Sequence, residues 1–174
     1  MHKPLTNYAF IDSNNLHRGV TDLGWKLDYR KFRIFLEEKF AVKKAYYFIG
    51  FIAENAQLYE SLKRKGYSLI FKEVVPDQKG EPKGNIDAEL VLQAMIDLKE
   101  YEKAVIVSGD GDFACLVKYL QEQGKLAQVI SPRHDRPKDG KPEQGGASIL
   151  LKRAAPGKIL FLEQHKHRLE YRKE

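Results

Sequence analysis

Short apolar runs alternate with longer stretches whose apolar residues recur at helical spacing. Residues 104–107, Ala-Val-Ile-Val, predict a strand buried on both faces. Behind it Phe113, Leu116, Val117 and Leu120 mark a helix. Further strands are expected at 8–11, 44–50, 67–73, 126–130 and 158–162, the third near a sheet edge because polar residues enter it. Helices are expected over 28–40, 55–65, with Leu58 and Leu62 inward, and 86–98, with Asn85 as N-cap. A short helix is expected over 147–154, and residues 17–27 read as a loop around Trp25. Segments 75–85 and 133–146, rich in Pro, Gly and charge, read as mobile loops. Strands alternating with helices predict an α/β domain with a mostly parallel sheet covered on both faces.

The run at 104–107 ends in Ser108-Gly109-Asp110-Gly111-Asp112. Two carboxylates thus leave the carboxyl end of a central strand, where open α/β sheets place ligands. The glycines are expected to let the chain turn sharply and leave both carboxylates uncovered. Adjacent anions repel unless a cation or proton lies between them. Capping of the next helix by Asp112 would account for one aspartate only. The first strand repeats the pattern, ending in Asp12-Ser13-Asn14-Asn15. Asp87 falls in the first turn of its helix, where the helix dipole also favours a carboxylate.

Length and composition limit the classes. The 174 residues suit one domain; 43% are hydrophobic and 31% charged, as in ordinary globular proteins. No apolar run approaches the ~18 residues of a membrane span, and there is no signal-peptide profile. A single Cys115, expected to be a buried structural thiol, excludes an intrachain disulfide and fits a cytoplasmic setting. Residues 133–174 hold eleven Lys or Arg against six Asp or Glu, so most of the +6 net charge lies in the last quarter. A polyanionic partner, nucleic acid first, is the expectation. The five histidines do not cluster at metal-ligand spacing, and no P-loop or Gly-x-Gly-x-x-Gly element is present.

Three blocks in this order, Phe10-Ile11-Asp12-Ser13-Asn14-Asn15, Lys83-Gly84-Asn85-Ile86-Asp87 and Ser108-Gly109-Asp110-Gly111-Asp112-Phe113, resemble the signature blocks of NYN domains. These belong to the PIN-like nuclease superfamily, and the resemblance is to its LabA-like (DUF88) branch. It implies a three-layer α/β/α PIN-like (Rossmannoid) fold with five to six strands, ordered 3-2-1-4-5 at its core. Residues 1–163 would form the domain and 164–174 a charged tail. The resemblance also implies an acidic pocket in which Asp12 neighbours Asp110, with Asp87 and Asp112 completing it. In the family that this pattern resembles, many members carry a further acid about two turns into the helix after the second block, a place that Gln93 or its neighbours take here, which speaks against a second metal site.

Cleaving a phosphodiester needs an activated water and neutralised charge on the attacking and leaving oxygens, which Mg²⁺ or Mn²⁺ on carboxylates supplies. Asp12 and Asp110 are expected as direct ligands, with Asp87 and Asp112 as ligands or water-positioning bases. Asn15 and Ser108 would orient substrate phosphate or water, and Lys83, Arg18 and Arg133 would meet the backbone of single-stranded RNA. Lys79, Arg136, Lys138 and Lys141 add cations in the same loops, and Trp25 offers a ring for base stacking. The leading reading is a metal-dependent ribonuclease. Its alternative is an RNA-binding or regulatory module without turnover. A haloacid-dehalogenase-type phosphohydrolase would need Asp-x-Asp after the first strand, where Asp12-Ser13-Asn14 stands. No membrane partner is expected, and a homodimer is left open.

Overall fold

The computed structural model describes residues 6–76, 78, 82–83, 85–134, 136–138, 141–144 and 146–173. Six strands form one parallel sheet: β1 (Asn7–Asp12), β2 (Val42–Phe51), β3 (Tyr67–Glu73), β4 (Ala104–Val107), β5 (Leu126–Ser131) and β6 (Ile159–Phe161). Their spatial order is β6-β5-β4-β1-β2-β3, the expected 3-2-1-4-5 core extended by one strand. The chain therefore winds outward from β1 through β2 to β3, then re-enters beside β1 at β4. That reversal makes the carboxyl ends of β1 and β4 the switch point of the sheet. The register sets Ile11 against Val107, which brings the next residues, Asp12 and Ser108, side by side.

Alternation along the strands feeds two cores. Ala9, Ile11, Val105 and Val107 face one layer, with Leu16 and Val20 of α1 (Ser13–Thr21) and Phe32, Phe35 and Leu36 of α2 (Tyr29–Phe40). Leu62 of α3 (Ala56–Arg64) joins the same layer. Phe10, Ala104 and Ile106 face the other, with Leu90 and Ala94 of α4 (Asp87–Ile96) and Leu116, Val117 and Leu120 of α5 (Ala114–Glu122). Leu151 of α6 (Ile149–Ala154) completes that side. The result is the three-layer α/β/α arrangement. Ala104 to Val107 are buried on both faces, and β3 is an edge strand.

Several local expectations change. Residues 17–21 of the expected loop belong to the helix Ser13–Thr21, because Leu16 and Val20, four apart, both reach the core and Asp12 caps the helix. Trp25 is 6% exposed and packed in that core, so no ring face is free for a base. Tyr59 rather than Leu58 turns inward with Leu62, and Cys115 is exposed. Val75–Pro76 pairs antiparallel with Pro82–Lys83, and Arg136–Lys138 with Lys141–Gln144, so parts of both expected loops are ribbons. Asn85 does not occupy the N-cap position of α4, which Ile86 holds, but its Oδ1 accepts the Asp87 N–H at 2.8 Å.

The charged segment after β6 is seated on the domain. Leu162 and Leu169, the latter at the end of α7 (Lys166–Leu169), are buried in the α1–α2 layer. Leu27 bridges Glu170, and the Tyr171 N–H donates to the Lys26 carbonyl at 2.8 Å. Leu169 is 1% exposed. Leu169→Ala should therefore cost about 2–5 kcal/mol of unfolding free energy, measured by urea denaturation, whereas a trailing segment would give no change.

Candidate functional site

At the switch point, backbone geometry and side-chain bonds gather the acidic residues into one cleft of about 490 Å³, lined by Asp12, Asp87, Asp110 and Asp112 among others. Asp12 ends β1 and caps α1, its Oδ1 accepting the Asn15 N–H at 3.2 Å. Its Oδ2 accepts the Ser108 hydroxyl at 3.1 Å, and the same hydroxyl oxygen accepts the Asp110 N–H at 3.1 Å. Asn15 Oδ1 accepts the Gly109 N–H at 2.8 Å, a second tie between α1 and the loop after β4. Capping falls to Asp110 rather than Asp112: its Oδ1 accepts the Asp112 N–H at 2.9 Å, at the head of the short 3₁₀ turn Gly111–Phe113.

Gly109 and Gly111 serve by their small size, since neither has the positive φ of a left-handed turn. A Cβ on Gly109 would lie 2.8 Å from Ser131 Oγ and 2.9 Å from the Gly146 carbonyl oxygen, and one on Gly111 would lie 2.5 Å from Ser148 Oγ. The carboxylate loop is thus pressed onto the segment that leads into α6. The Ser148 N–H donates to the Gly109 carbonyl at 2.9 Å across the same contact.

Carboxylate oxygens of Asp87, Asp110 and Asp112 come within 4.8 Å of one another. Asp12 stands apart from that trio, 4% exposed, with both oxygens already accepting hydrogen bonds. Its carboxyl is pushed above the ordinary aspartate range, by burial first and then by the charges of Asp87 and Asp110, against the lowering effect of its two hydrogen bonds. Asp87 is raised too, again by burial first; the Asn85 bond opposes this, Asp110 and Asp112 add to it, and Lys72 offsets it. The trio offers only oxygen ligands, the donor type that suits a hard divalent cation. Placing 2+ charge among these carboxylates would relieve the repulsion that adds to the effect of burial on both groups.

The remaining expected residues fall into three groups. Arg18 and Asn15 line the cleft, as does Arg133, which pairs with Asp22 at 3.6 Å. Ser108 does not face it: the residue is fully buried and its hydroxyl is spent on Asp12 and Asp110, so it positions carboxylates and cannot touch substrate. Lys79 lies outside the described residues, and so do the side chains of Lys83, Arg136, Lys138 and Lys141. Gln93 turns its amide toward the Tyr46 hydroxyl, 3.5 Å away, and adds nothing to the acidic trio. Three participants escaped sequence reasoning: Asn14, Asp22 and Lys72. Lys72 Nζ reaches from β3 to the Asn85 carbonyl at 2.6 Å and to Glu89 at 3.2 Å, a link across the chain that no local pattern announces.

Comparison with known proteins bears on the family and the fold. The NYN domain family matches residues 8–159. The low amplitude and bright protein LabA of Synechococcus elongatus is 26% identical over 139 residues, covering 74% of this chain and 75% of that protein. A crystal structure of a protein of unknown function from Vibrio parahaemolyticus superposes with a TM-score of 0.75 over 98% of this chain and 99% of that one. At 18% identity this last likeness speaks to the fold alone. Together with the acidic cleft at the β1–β4 switch point, the match over residues 8–159 means that the chain belongs to the NYN domain family, a nuclease-like group of PIN-like fold, and is LabA-like within it.

Proposed function

We propose that this protein is a metal-dependent ribonuclease that hydrolyses single-stranded RNA, using Mg²⁺ or Mn²⁺. The observation that carries the reading is the close approach of the Asp87, Asp110 and Asp112 carboxylates at the switch point of the sheet. When bound, a divalent cation would lower the pKa of water and neutralise charge on the scissile phosphate. Asp87, Asp110 and Asp112 would hold it, and three carboxylates suit one ion better than two. Asp112, the exposed member of the trio, is suited to take the proton of the attacking water. Asp12, fixed by Ser108 and Asn15, adds negative potential behind the trio and orients Asp110 through the shared Ser108 hydroxyl.

Carboxylates alone repel a phosphate backbone, so the rim must supply cations. Arg18 and Arg133 stand on the rim of this cleft from α1 and from the loop after β5. Arg133, itself half-buried, pairs with the exposed carboxylate of Asp22 at 3.6 Å. An open cleft between loops admits a flexible single strand more readily than a rigid duplex.

Cleavage of a mixed RNA pool with and without Mn²⁺ tests the reading, and Asp110→Asn should lower the metal-dependent rate by roughly 10²–10³-fold. Its amide oxygen can still accept the Asp112 N–H, so the metal-free melting temperature should be unchanged or higher; a marked drop would make Asp110 structural.

The pH dependence follows from the two raised carboxyls. Asp12 and Asp87 hold protons in the folded protein at pH values where the unfolded chain has released them. Their contribution to stability therefore grows as pH falls through the raised values and is lost as pH rises above them. In thermal melts without metal, the part of the pH dependence removed by Asp110→Asn should have this sign. Saturating Mg²⁺ should reverse it by favouring the ionised forms.

Binding to a single-stranded RNA oligomer should weaken with salt, and Arg18→Gln with Arg133→Gln should reduce the log–log slope by roughly 1.4, about 0.7 per lost phosphate contact. An unchanged slope in a filter-binding titration would remove both arginines from the interface.

A further inference from the structure

A second cavity, of about 370 Å³, adjoins the acidic cleft through the first turn of α1: Asp12 lines the cleft, Ser13 the cavity, and Asn14 both. Its character is the opposite of the cleft's. Tyr29, Tyr47, Ile49 and Leu58 give it flat or apolar walls, and no carboxylate is among its lining residues. His17 and Lys26, both exposed, also line it.

Its polar groups are unusual for a structural cavity. Ser13 is 3% exposed, and its hydroxyl, buried at the cavity wall, has no hydrogen-bond partner among the described residues. Buried hydroxyls are nearly always paired, and an orphan one calls for an explanation. The Asn55 side chain, also lining the cavity, makes no capping bond although it precedes α3 directly. A pocket with apolar, partly aromatic walls, a few convergent hydroxyl and amide groups and a volume in the small-ligand range suits a planar heterocycle with hydrogen-bonding edges.

We infer that this cavity receives an unpaired nucleobase of the same RNA strand whose phosphate enters the acidic cleft, with the Ser13 hydroxyl and the Asn55 amide meeting the edge of the base. The inference rests on the ribonuclease reading of the cleft. It gives that enzyme a site at which the nucleotide flanking the scissile phosphate is held, and so a source of base preference. The base would supply the partner that the Ser13 hydroxyl lacks among the described residues.

The experiment titrates the full chain with adenosine and uridine 5′-monophosphates and with a tetraribonucleotide, in Ca²⁺, following backbone amide shifts by NMR. Binding of Mg²⁺ alone is measured in parallel by calorimetry. The expected result is a shift of the Ser13, Asn55 and Leu58 amides, with the tetraribonucleotide binding more tightly than either mononucleotide. Ser13→Ala should weaken nucleotide binding about tenfold, the worth of one buried hydrogen bond, while its melting temperature without ligand stays the same or rises. Leu58→Trp, at a position 43% exposed, should fill the mouth and abolish the shifts. Both variants should bind Mg²⁺ as the parent does. Shifts confined to the Asp110–Asp112 loop, or undiminished affinity in Ser13→Ala, would overturn the pocket while leaving the ribonuclease reading in place. Equal affinity for mononucleotide and tetraribonucleotide would overturn the link to the strand. A parent protein that binds neither Mg²⁺ nor the tetraribonucleotide would overturn the ribonuclease reading itself.

Discussion

The Ser108 hydroxyl is the joint on which the site depends. It donates to Asp12 at the end of β1 and accepts from the Asp110 N–H beyond the end of β4. Two strands separated by most of the chain are thereby locked at the point where their carboxylates would otherwise push each other apart. A fully buried serine can do this because one oxygen serves as donor and acceptor together. Asn15 repeats the device one turn along, donating its N–H to Asp12 and accepting from Gly109. The repulsion shows in Asp12 and Asp87, whose carboxyls are raised by burial and further by their acidic neighbours.

Around that joint the backbone is packed too closely for ordinary side chains. Gly109 and Gly111 sit against Ser131, Gly146 and Ser148, and a Cβ on Gly19 of α1 would lie 2.3 Å from the Pro132 ring. These contacts bring the start of α1, the loop after β4 and the loop after β5 to one place. The same approach carries Arg133 to Asp22 and sets it on the cleft rim. Cations and carboxylates are thus neighbours, with Arg133 paired to Asp22 rather than to the trio. That separation is what an anionic substrate and a divalent cation would both require.

The first turn of α1 has two sides, and they differ in chemistry. Toward the cleft it presents Asp12, and toward the second cavity Ser13 with aromatic and aliphatic walls. The charged segment after β6 closes the far side of this helical layer, with Leu169 buried beside α2. Its charge did not keep it in solvent, because one leucine at the right spacing anchors the short helix that carries the cations.

The sequence by itself determined the layers and the location of the acids. A short, β-branched apolar run such as 104–107, bounded by glycine, reads as a central strand, and an aspartate at the end of such a strand falls on the carboxyl edge of a parallel sheet. The resemblance over three blocks supplied the strand order that pairs β1 with β4, which periodicity alone does not contain. Tertiary structure decided what each side chain does once there. Whether Ser108 meets substrate or only its neighbours depends on the depth of the β1–β4 seam, and whether Trp25 is a stacking ring depends on what covers it. Asp12 stands apart from the trio with both oxygens claimed, one by the Asn15 N–H three residues on and the other by the Ser108 hydroxyl from β4's far end. The glycines of the third block read locally as turn formers, yet their reason is contact with residues 131, 146 and 148. Spacing along the chain fixes which edge a residue reaches; only packing between elements far apart in sequence fixes its partner, its burial and therefore its charge state.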